Sequence, residues 1–241
     1  MKTNAAPVAA TILAAGLGRR LGHRPKAALE IGGFSLMERM VAALRGAGLA
    51  SVSVVLGAYP ETLAPLVERA DARVLMHGHP DSTLVGSQRL ALEDHLERHP
   101  DHDLLLVLAD LPRLVAHDVH ALLRAWRGRP ACIQAQMPVV GGVRGHPVLL
   151  SASAVRQVLS TPPEAGIRDW LRGHPHLVKP MLATQRAYID DLDTPEDLLA
   201  LKELFAPQAV CWPEGWRGPT VVTGETAAIP SRPAPRSPAT D

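Results

Sequence analysis

Short unbroken apolar runs alternate along this chain with segments whose apolar residues recur every three or four positions. Val8–Ala15 is one such run and ends at Gly16; Asp103–Ala109 (DLLLVLA) is another, closed by Asp110 and Pro112. Runs of this length fit strands buried on both faces. Ser51–Leu56 (SVSVVL) is β-branched and strand-like. Ala72–Met76, Ala131–Gln136, Pro147–Leu150, Val178–Met181 and Arg186–Ile189 are further strand candidates. Helical spacing marks Ser35–Ala47, through Leu36, Met40, Ala43 and Leu44, with Gly46 and Gly48 as its stop. The same reasoning predicts helices over Glu61–Glu68, Ser82–Arg98, His117–Trp126, Ser153–Leu159, Gly166–His174 and Thr194–Phe205. Thr194 is placed to cap the last of these, with Pro195 at its first position and Asp197 two residues further on.

Strands alternating with helices predict an α/β fold: a three-layer α/β/α sandwich around a mostly parallel sheet. Such open sheets bind ligands outside the carboxyl ends of their strands. The Gly16 loop and Asp110 both follow strands, so two distant segments are expected to meet at one crevice. The domain is expected to span residues 1–206. From Pro207 the texture changes: residues 207–241 hold seven prolines and end in SRPAPRSPATD. A tail of this composition cannot bury enough apolar area to offset its ordering. It is expected to be at least partly disordered, certainly over Ile229–Asp241, with Trp212 and Trp216 available to fasten its first part.

Composition narrows the function. The chain has 241 residues, 46% of them hydrophobic and 20% charged, with 3% aromatic and a net charge of +1. Few aromatics and no long basic run argue against a nucleic-acid partner. No stretch is long and apolar enough to suggest a membrane span. Cys132 and Cys211 have neither zinc-ligand nor disulfide-framework spacing, and Cys132 is expected in the core. A reduced, cytoplasmic setting is the simplest expectation.

The densest chemistry lies in LAAGLGRRLGHRPKAAL, Leu13–Leu29. Gly16 and Gly18 permit a tight turn and close backbone approach to a phosphate. Successive N–H groups on such a loop form an anion nest. Arg19, its neighbour Arg20 and Lys26 add positive charge suited to a triphosphate. Gly16, Gly18 and Gly22 also read as a dinucleotide-binding pattern. A site of that kind needs an acid at the end of the second strand, where this chain has Gly57-Ala58-Tyr59.

LAAGLGRRLGHRPK resembles the LAAGxGxRxGxxK signature of MobA-like nucleotidyltransferases, and within them the molybdenum cofactor cytidylyltransferases. LADLPRL (Leu108–Leu114), GVRGHPVLL (Gly142–Leu150) and DLDTPEDL (Asp191–Leu198) resemble three later motifs of that family, in order. The resemblance covers residues 8–205 and implies a Rossmann-like nucleotidyltransferase fold. It implies a nucleotide site of Leu13, Ala14, Ala15, Gly16, Gly18, Arg19, Lys26, Ser82 and Thr83. Arg19, Lys26 and Asp110 would serve catalysis, and Arg144, Gly145 and His146 the acceptor. Asp110, Asp191 and Asp193 would hold Mg2+ or Mn2+, with Asp193 alternatively capping the final helix. A Mg2+ ion takes hard oxygen ligands and bridges substrate phosphates.

In the family, Ala-Ala at positions 14 and 15 marks cytidylyl transfer, so CTP is the expected nucleotide and a molybdopterin-type phosphate the expected acceptor. A molybdoenzyme would receive the product. Ala109 stands where the family carries glycine; the family's Gly-Leu has become Ser87-Gln88 or is shifted. Three alternatives remain: transfer to a sugar or polyol phosphate, a non-catalytic protein that binds or matures a cofactor on this fold, and a dinucleotide-dependent oxidoreductase.

Overall fold

The computed structural model describes residues 6–78 and 83–213. The strands are β1 (Val8–Ala14), β2 (Glu30–Ile31), β3 (Phe34–Ser35), β4 (Val52–Leu56), β5 (Arg73–Met76), β6 (Asp103–Leu108), β7 (Ala135–Val140), β8 (Val143–Arg144), β9 (Val148–Leu150), β10 (Val178–Ala183) and β11 (Val210–Cys211). The helices are α1 (Leu36–Gly46), α2 (Pro60–Arg69), α3 (Leu84–Arg98), α4 (Ala116–Arg127), α5 (Ala152–Leu159), α6 (Ile167–Gly173) and α7 (Pro195–Phe205).

The main sheet runs β10-β7-β9-β6-β1-β4-β5, with β8 paired to β7. β1 pairs parallel with both β4 and β6, and β7 pairs parallel with β10. β9 runs antiparallel between β6 and β7. The sheet is therefore mixed, mostly parallel and helix-covered, as the alternation predicts.

Each central strand feeds two cores. On β1, Ala10, Ile12 and Ala14 face α1, α2 and α4, while Leu13 and Ala15 face α3, α5 and α6. β6 divides in the same way, Leu105 and Val107 against Leu104 and Leu106. Burying both faces explains why these strands show no polar alternation. A fully buried side chain of this size contributes roughly 1.5–3 kcal/mol, so the two layers fix the strand ends firmly.

Several boundaries differ from the sequence reading. The strand expected at Ala131–Gln136 lies at Ala135–Val140; residues 131–134 form a turn closed by Ile133 N–H to the Pro130 carbonyl at 3.0 Å. Pro138 disguises that strand, because proline reads as a strand breaker. Cys132 consequently sits on the exposed turn and not in the core. Arg186–Ile189 is not a strand: Arg186–Tyr188 forms a 3-10 turn. Its apolar look comes from Tyr188, which is buried and donates its hydroxyl to the Asp118 carbonyl at 2.9 Å.

A second, three-stranded sheet, β11-β2-β3, went unseen in the sequence because two-residue strands carry no periodicity. Val210 pairs with Ile31 and joins Leu21, Leu29 and Leu201 in a small third core, with Trp212 packed against it. The fold thus extends past residue 206 to Trp212. The remaining tail, including Trp216 and Ile229–Asp241, lies outside the described residues, as does Ser82.

Candidate functional site

β1 and β6 lie side by side, and the N–H of Ala109 reaches the Leu13 carbonyl at 3.0 Å just beyond their ends. The Gly-rich loop therefore opens beside Asp110. Gly18 is left-handed at φ 57°, and a Cβ there would collide with the Arg24 carbonyl. Leu21 N–H and His23 N–H both donate to the Gly18 carbonyl, which folds the loop back on itself. The Tyr59 hydroxyl fastens it further, reaching the Leu17 carbonyl at 2.9 Å and the His23 carbonyl at 2.8 Å. Pro25 then opens a 3-10 turn, Lys26–Ala28, that turns Lys26 inward.

Lys26 Nζ donates to Asp110 Oδ2 at 3.0 Å and makes a short ion pair with Asp193. Arg20 Nη1 reaches the other Asp193 oxygen at 2.6 Å. The Leu192 N–H donates to the Asp110 carbonyl at 2.9 Å, and this main-chain bond sets the 191–193 segment beside Asp110. Oxygens of Asp110, Asp191 and Asp193 all lie within 4.8 Å of one another. Asp193 does not cap α7. Thr194 does so, accepting from Asp197 N–H, with the Asp197 carboxylate returning to Thr194 N–H at 2.7 Å. Asp193 is thereby left to face Lys26.

The charges respond to this arrangement. Burial opposes the Lys26 ammonium, yet the Asp110 and Asp193 carboxylates outweigh it and hold the lysine above its ordinary value. The hydrogen bond from Lys26, aided by Arg20, holds Asp193 below the usual carboxylate range. Asp191 is pushed up by partial withdrawal from water, with the like charges of Asp110 and Asp193 adding to it.

A divalent cation fits this donor set. Asp110 Oδ1 is buried and has no hydrogen-bond partner among the described residues. An ionised oxygen in that state is costly unless a cation satisfies it. Three hard carboxylates on one side of an open crevice are the ligand type Mg2+ and Mn2+ prefer.

One cavity opens on Lys26 and Asp110, and a second lies beside it. The first, about 220 Å³, is lined by Leu13, Ala14, Ala15, Gly16, Lys26 and Asp110 from the expected set, together with Leu63 and the buried Ser87. Ala109 lines it too, with its methyl group in the apolar core. The second, about 670 Å³, is lined by Arg144, Gly145 and His146. Leu84 and Leu108 border both cavities, so they are neighbours. Gly145 allows the chain to pass tightly over the Tyr188 carbonyl, and His146 N–H donates to that same carbonyl at 2.9 Å. Burial holds His146 below its usual value, against the pull of Asp110 and a hydrogen bond to the Leu106 backbone.

Other expected residues lie elsewhere. Arg19 is exposed and lines neither cavity; Arg20 carries the contact with the acidic cluster. Thr83 caps α3, accepting from Gly86 N–H at 3.0 Å, and lines neither cavity. Sequence reasoning missed Tyr59, whose only signal was a lone aromatic after β4. It also missed Arg168 and Arg172, whose four-residue spacing on the expected α6 helix was the available clue.

Residues 10–178 match the model of the MobA-like NTP transferase domain. The chain is 33% identical over 199 residues to a nicotine blue oxidoreductase of Paenarthrobacter nicotinovorans, covering 80% of this chain and 96% of that one. In structure it resembles Rv0371c of Mycobacterium tuberculosis, with a TM-score of 0.67 at 21% identity over 83% of this chain and 99% of that one. A manganese complex of Rv0371c aligns with a TM-score of 0.66 at 18% identity, over 82% and 98% of the two chains. At these identities the structural likeness speaks to the fold.

Proposed function

The chain belongs to the MobA-like NTP transferase family, and on that footing we propose that it transfers CMP from CTP to the phosphate of a molybdopterin-type cofactor, releasing pyrophosphate. The observation that carries this reading is Lys26 and the three aspartates gathered at the mouth of the cavity lined by Leu13–Gly16.

The nucleotide enters the first cavity with its phosphates on the Gly16–Gly18 loop. Asp110, with Asp191 and Asp193, would hold Mg2+ or Mn2+, which neutralises charge on the phosphate oxygens. Lys26 leaves its carboxylate partners for the phosphates as they arrive and stabilises charge that develops on the α-phosphate. An acceptor phosphate oxygen attacks the α-phosphorus; the α–β P–O bond breaks and pyrophosphate departs with the electron pair. The protein supplies position and charge, without a nucleophile–base pair. The buried Ala15 methyl favours a pyrimidine over the larger purine. Arg144, Gly145 and His146 border the acceptor.

A second reading is redox chemistry, favoured by the 33% identical relative named as an oxidoreductase. Against it, β4 is followed by Gly57-Ala58-Tyr59, with no acid for a ribose hydroxyl.

The test is pyrophosphate release with Mg2+ and CTP, GTP or ATP, with and without molybdenum-loaded pterin cofactor, beside Asp110→Asn. Release that requires CTP, cofactor and Asp110 is expected. Release with a sugar phosphate instead would reassign the acceptor. Absence of release from protein that still binds the cofactor would favour a binding or maturation role. Oxidation of NADH or NADPH by the wild-type protein would favour the redox reading.

A further inference from the structure

Asp190, Asp191 and Asp193 are close in sequence, yet their carboxylates part company. Asp191 and Asp193 gather with Asp110, whereas Asp190 turns to two arginines. Its Oδ2 accepts from Arg113 Nη1 at 2.5 Å, and its Oδ1 lies 2.6 Å from Arg186 Nη2. Arg186 Nε also reaches Oδ2, at 3.3 Å. Both oxygens of Asp190 are thus engaged by guanidiniums.

The two arginines act differently. Arg186 opens the 3-10 turn that leads into Asp190, and Asp190 N–H donates to the Arg186 carbonyl at 2.8 Å. Those bonds stay within one segment. Arg113 comes from elsewhere, 77 positions earlier, on the loop that follows Asp110 and precedes α4. Its ion pair therefore ties the loop carrying Asp110 to the segment carrying Asp191 and Asp193. The Leu192 N–H bond to the Asp110 carbonyl ties the same two segments. The two contacts flank Asp191 in sequence, so its backbone is held on both sides to the Asp110 loop.

Arg113 and Asp190 line neither the cavity at Lys26 nor the one at His146. They line a third, about 430 Å³, that Asp191 shares. Their place is beside the acidic cluster and outside both proposed substrate cavities.

We propose that the Arg113–Asp190 ion pair is a positioning clamp, which docks the 190–193 segment on the Asp110 loop and so sets the spacing of the three carboxylates for a divalent cation. This rests on reading Asp110, Asp191 and Asp193 as the cation site, and it names the pair that keeps them in register. Like charges this close repel one another, so holding them together before a cation arrives takes support from behind. A forked guanidinium–carboxylate contact supplies direction as well as attraction.

The charge of Arg113 gives the proposal a signed test. A guanidinium near a cation site repels the cation, so on charge alone its removal would tighten metal binding. As a clamp, its removal loosens the site and weakens binding.

The experiment is titration calorimetry of the full chain with Mn2+ and no nucleotide. Arg113→Gln is expected to weaken Mn2+ binding about tenfold, the scale of loss when support behind a metal ligand is removed. Arg113→Lys returns the charge without the fork and should recover part of that loss. Arg186→Gln should stay close to wild type, because that arginine does not cross to the Asp110 loop. In a double-mutant cycle, adding Asp190→Asn to Arg113→Gln should cost less than Asp190→Asn costs alone. Melting temperatures should change little, because partly exposed ion pairs add little to global stability.

Unchanged or tighter Mn2+ binding by Arg113→Gln would overturn the proposal, as would an equal loss in Arg186→Gln or independent effects in the cycle. Affinity losses that merely track falling melting temperatures would make the pair structural and overturn it as well. Absence of Mn2+ binding by the wild-type chain would also overturn it. Mn2+ binding with the expected responses, but no pyrophosphate release from CTP, would support the clamp and count against the transferase reading alone.

Discussion

Lys26 Nζ lies 3.0 Å from Asp110 Oδ2, joining residues 84 positions apart, one on the turn after the Gly-rich loop and one just beyond β6. The Lys26 side chain is only 16% exposed, and its second partner is Asp193. Without nucleotide, Lys26 thus neutralises the acidic cluster that a divalent metal would otherwise occupy. In the proposed reaction, substrate phosphates and metal together would exchange these partners.

Lys26→Met should separate the two roles. Nucleotidyl transfer is expected to fall by about 10²- to 10³-fold, the loss seen when one preorganised electrostatic group is removed. Mn2+ affinity measured without nucleotide should rise, because Asp110 loses its lysine and Asp193 keeps only its contact with Arg20. Titration calorimetry with Mn2+ checks this; weaker Mn2+ binding in the variant would contradict the exchange.

The same pair has a pH signature. Lys26 is raised in the fold, so its contribution to stability is complete below the ordinary lysine value and is lost as pH rises through the raised one. Asp193 is lowered, so its contribution is present above the ordinary carboxylate value and is lost as pH falls through the depressed one. Urea unfolding from acid to alkaline pH should show a wild-type advantage over Lys26→Met that is constant near neutrality and shrinks at both ends.

Asp191 is raised, by partial burial and then by its acidic neighbours. A metal requires the ionised carboxylate. Mn2+ affinity should therefore decline with falling pH while still above the usual carboxylate range. Asp191→Asn should show weaker binding and a shallower decline. An unchanged profile in that variant would remove Asp191 from the ligand set.

Two glycines of the loop should differ in kind. Gly18 is left-handed, where a side chain costs about 1–2 kcal/mol, and an added Cβ meets the Arg24 carbonyl. Gly18→Ala should lower both melting temperature and nucleotide affinity. Gly16 has open space around it and lines the cavity proposed to take the nucleotide. Gly16→Ala should leave the melting temperature unchanged and raise the KM for nucleotide.

Far from the site, Asp103 holds two helices and a turn to β6. It is 3% exposed and accepts from Trp126 Nε1 at 2.8 Å, from Arg129 at 3.1 Å and from Ala152 N–H at 3.3 Å. Asp103→Ala leaves the buried Trp126 indole N–H unpaired and strips the largely buried Arg129 of its carboxylate, leaving it only its bonds to the Ile133 and Trp126 carbonyls, a loss of about 3–5 kcal/mol. Thermal unfolding should drop by on the order of 10 °C, with no change in the KM of the protein that remains folded.

Periodicity and short motifs determined much of this by themselves. Buried runs need no context to be recognised, so β1, β6 and the alternation with helices were legible, and with them the crevice at Gly16 and Asp110. The capping box at Thr194–Asp197 was legible too, because its bonds are local. What depends on contact between distant segments was decided only in three dimensions. Arg20, and not Arg19, reaches Asp193, because the turn after Gly18 sets which arginine faces the acids. Pro138 sits inside β7 because its neighbours outweigh a missing donor. Tyr59 clamps the loop, and Arg168 and Arg172 meet Arg144 across a cavity, through packing that sequence distance conceals. A strand's burial is written in its own residues; a site's geometry is written in the residues that other segments bring to it.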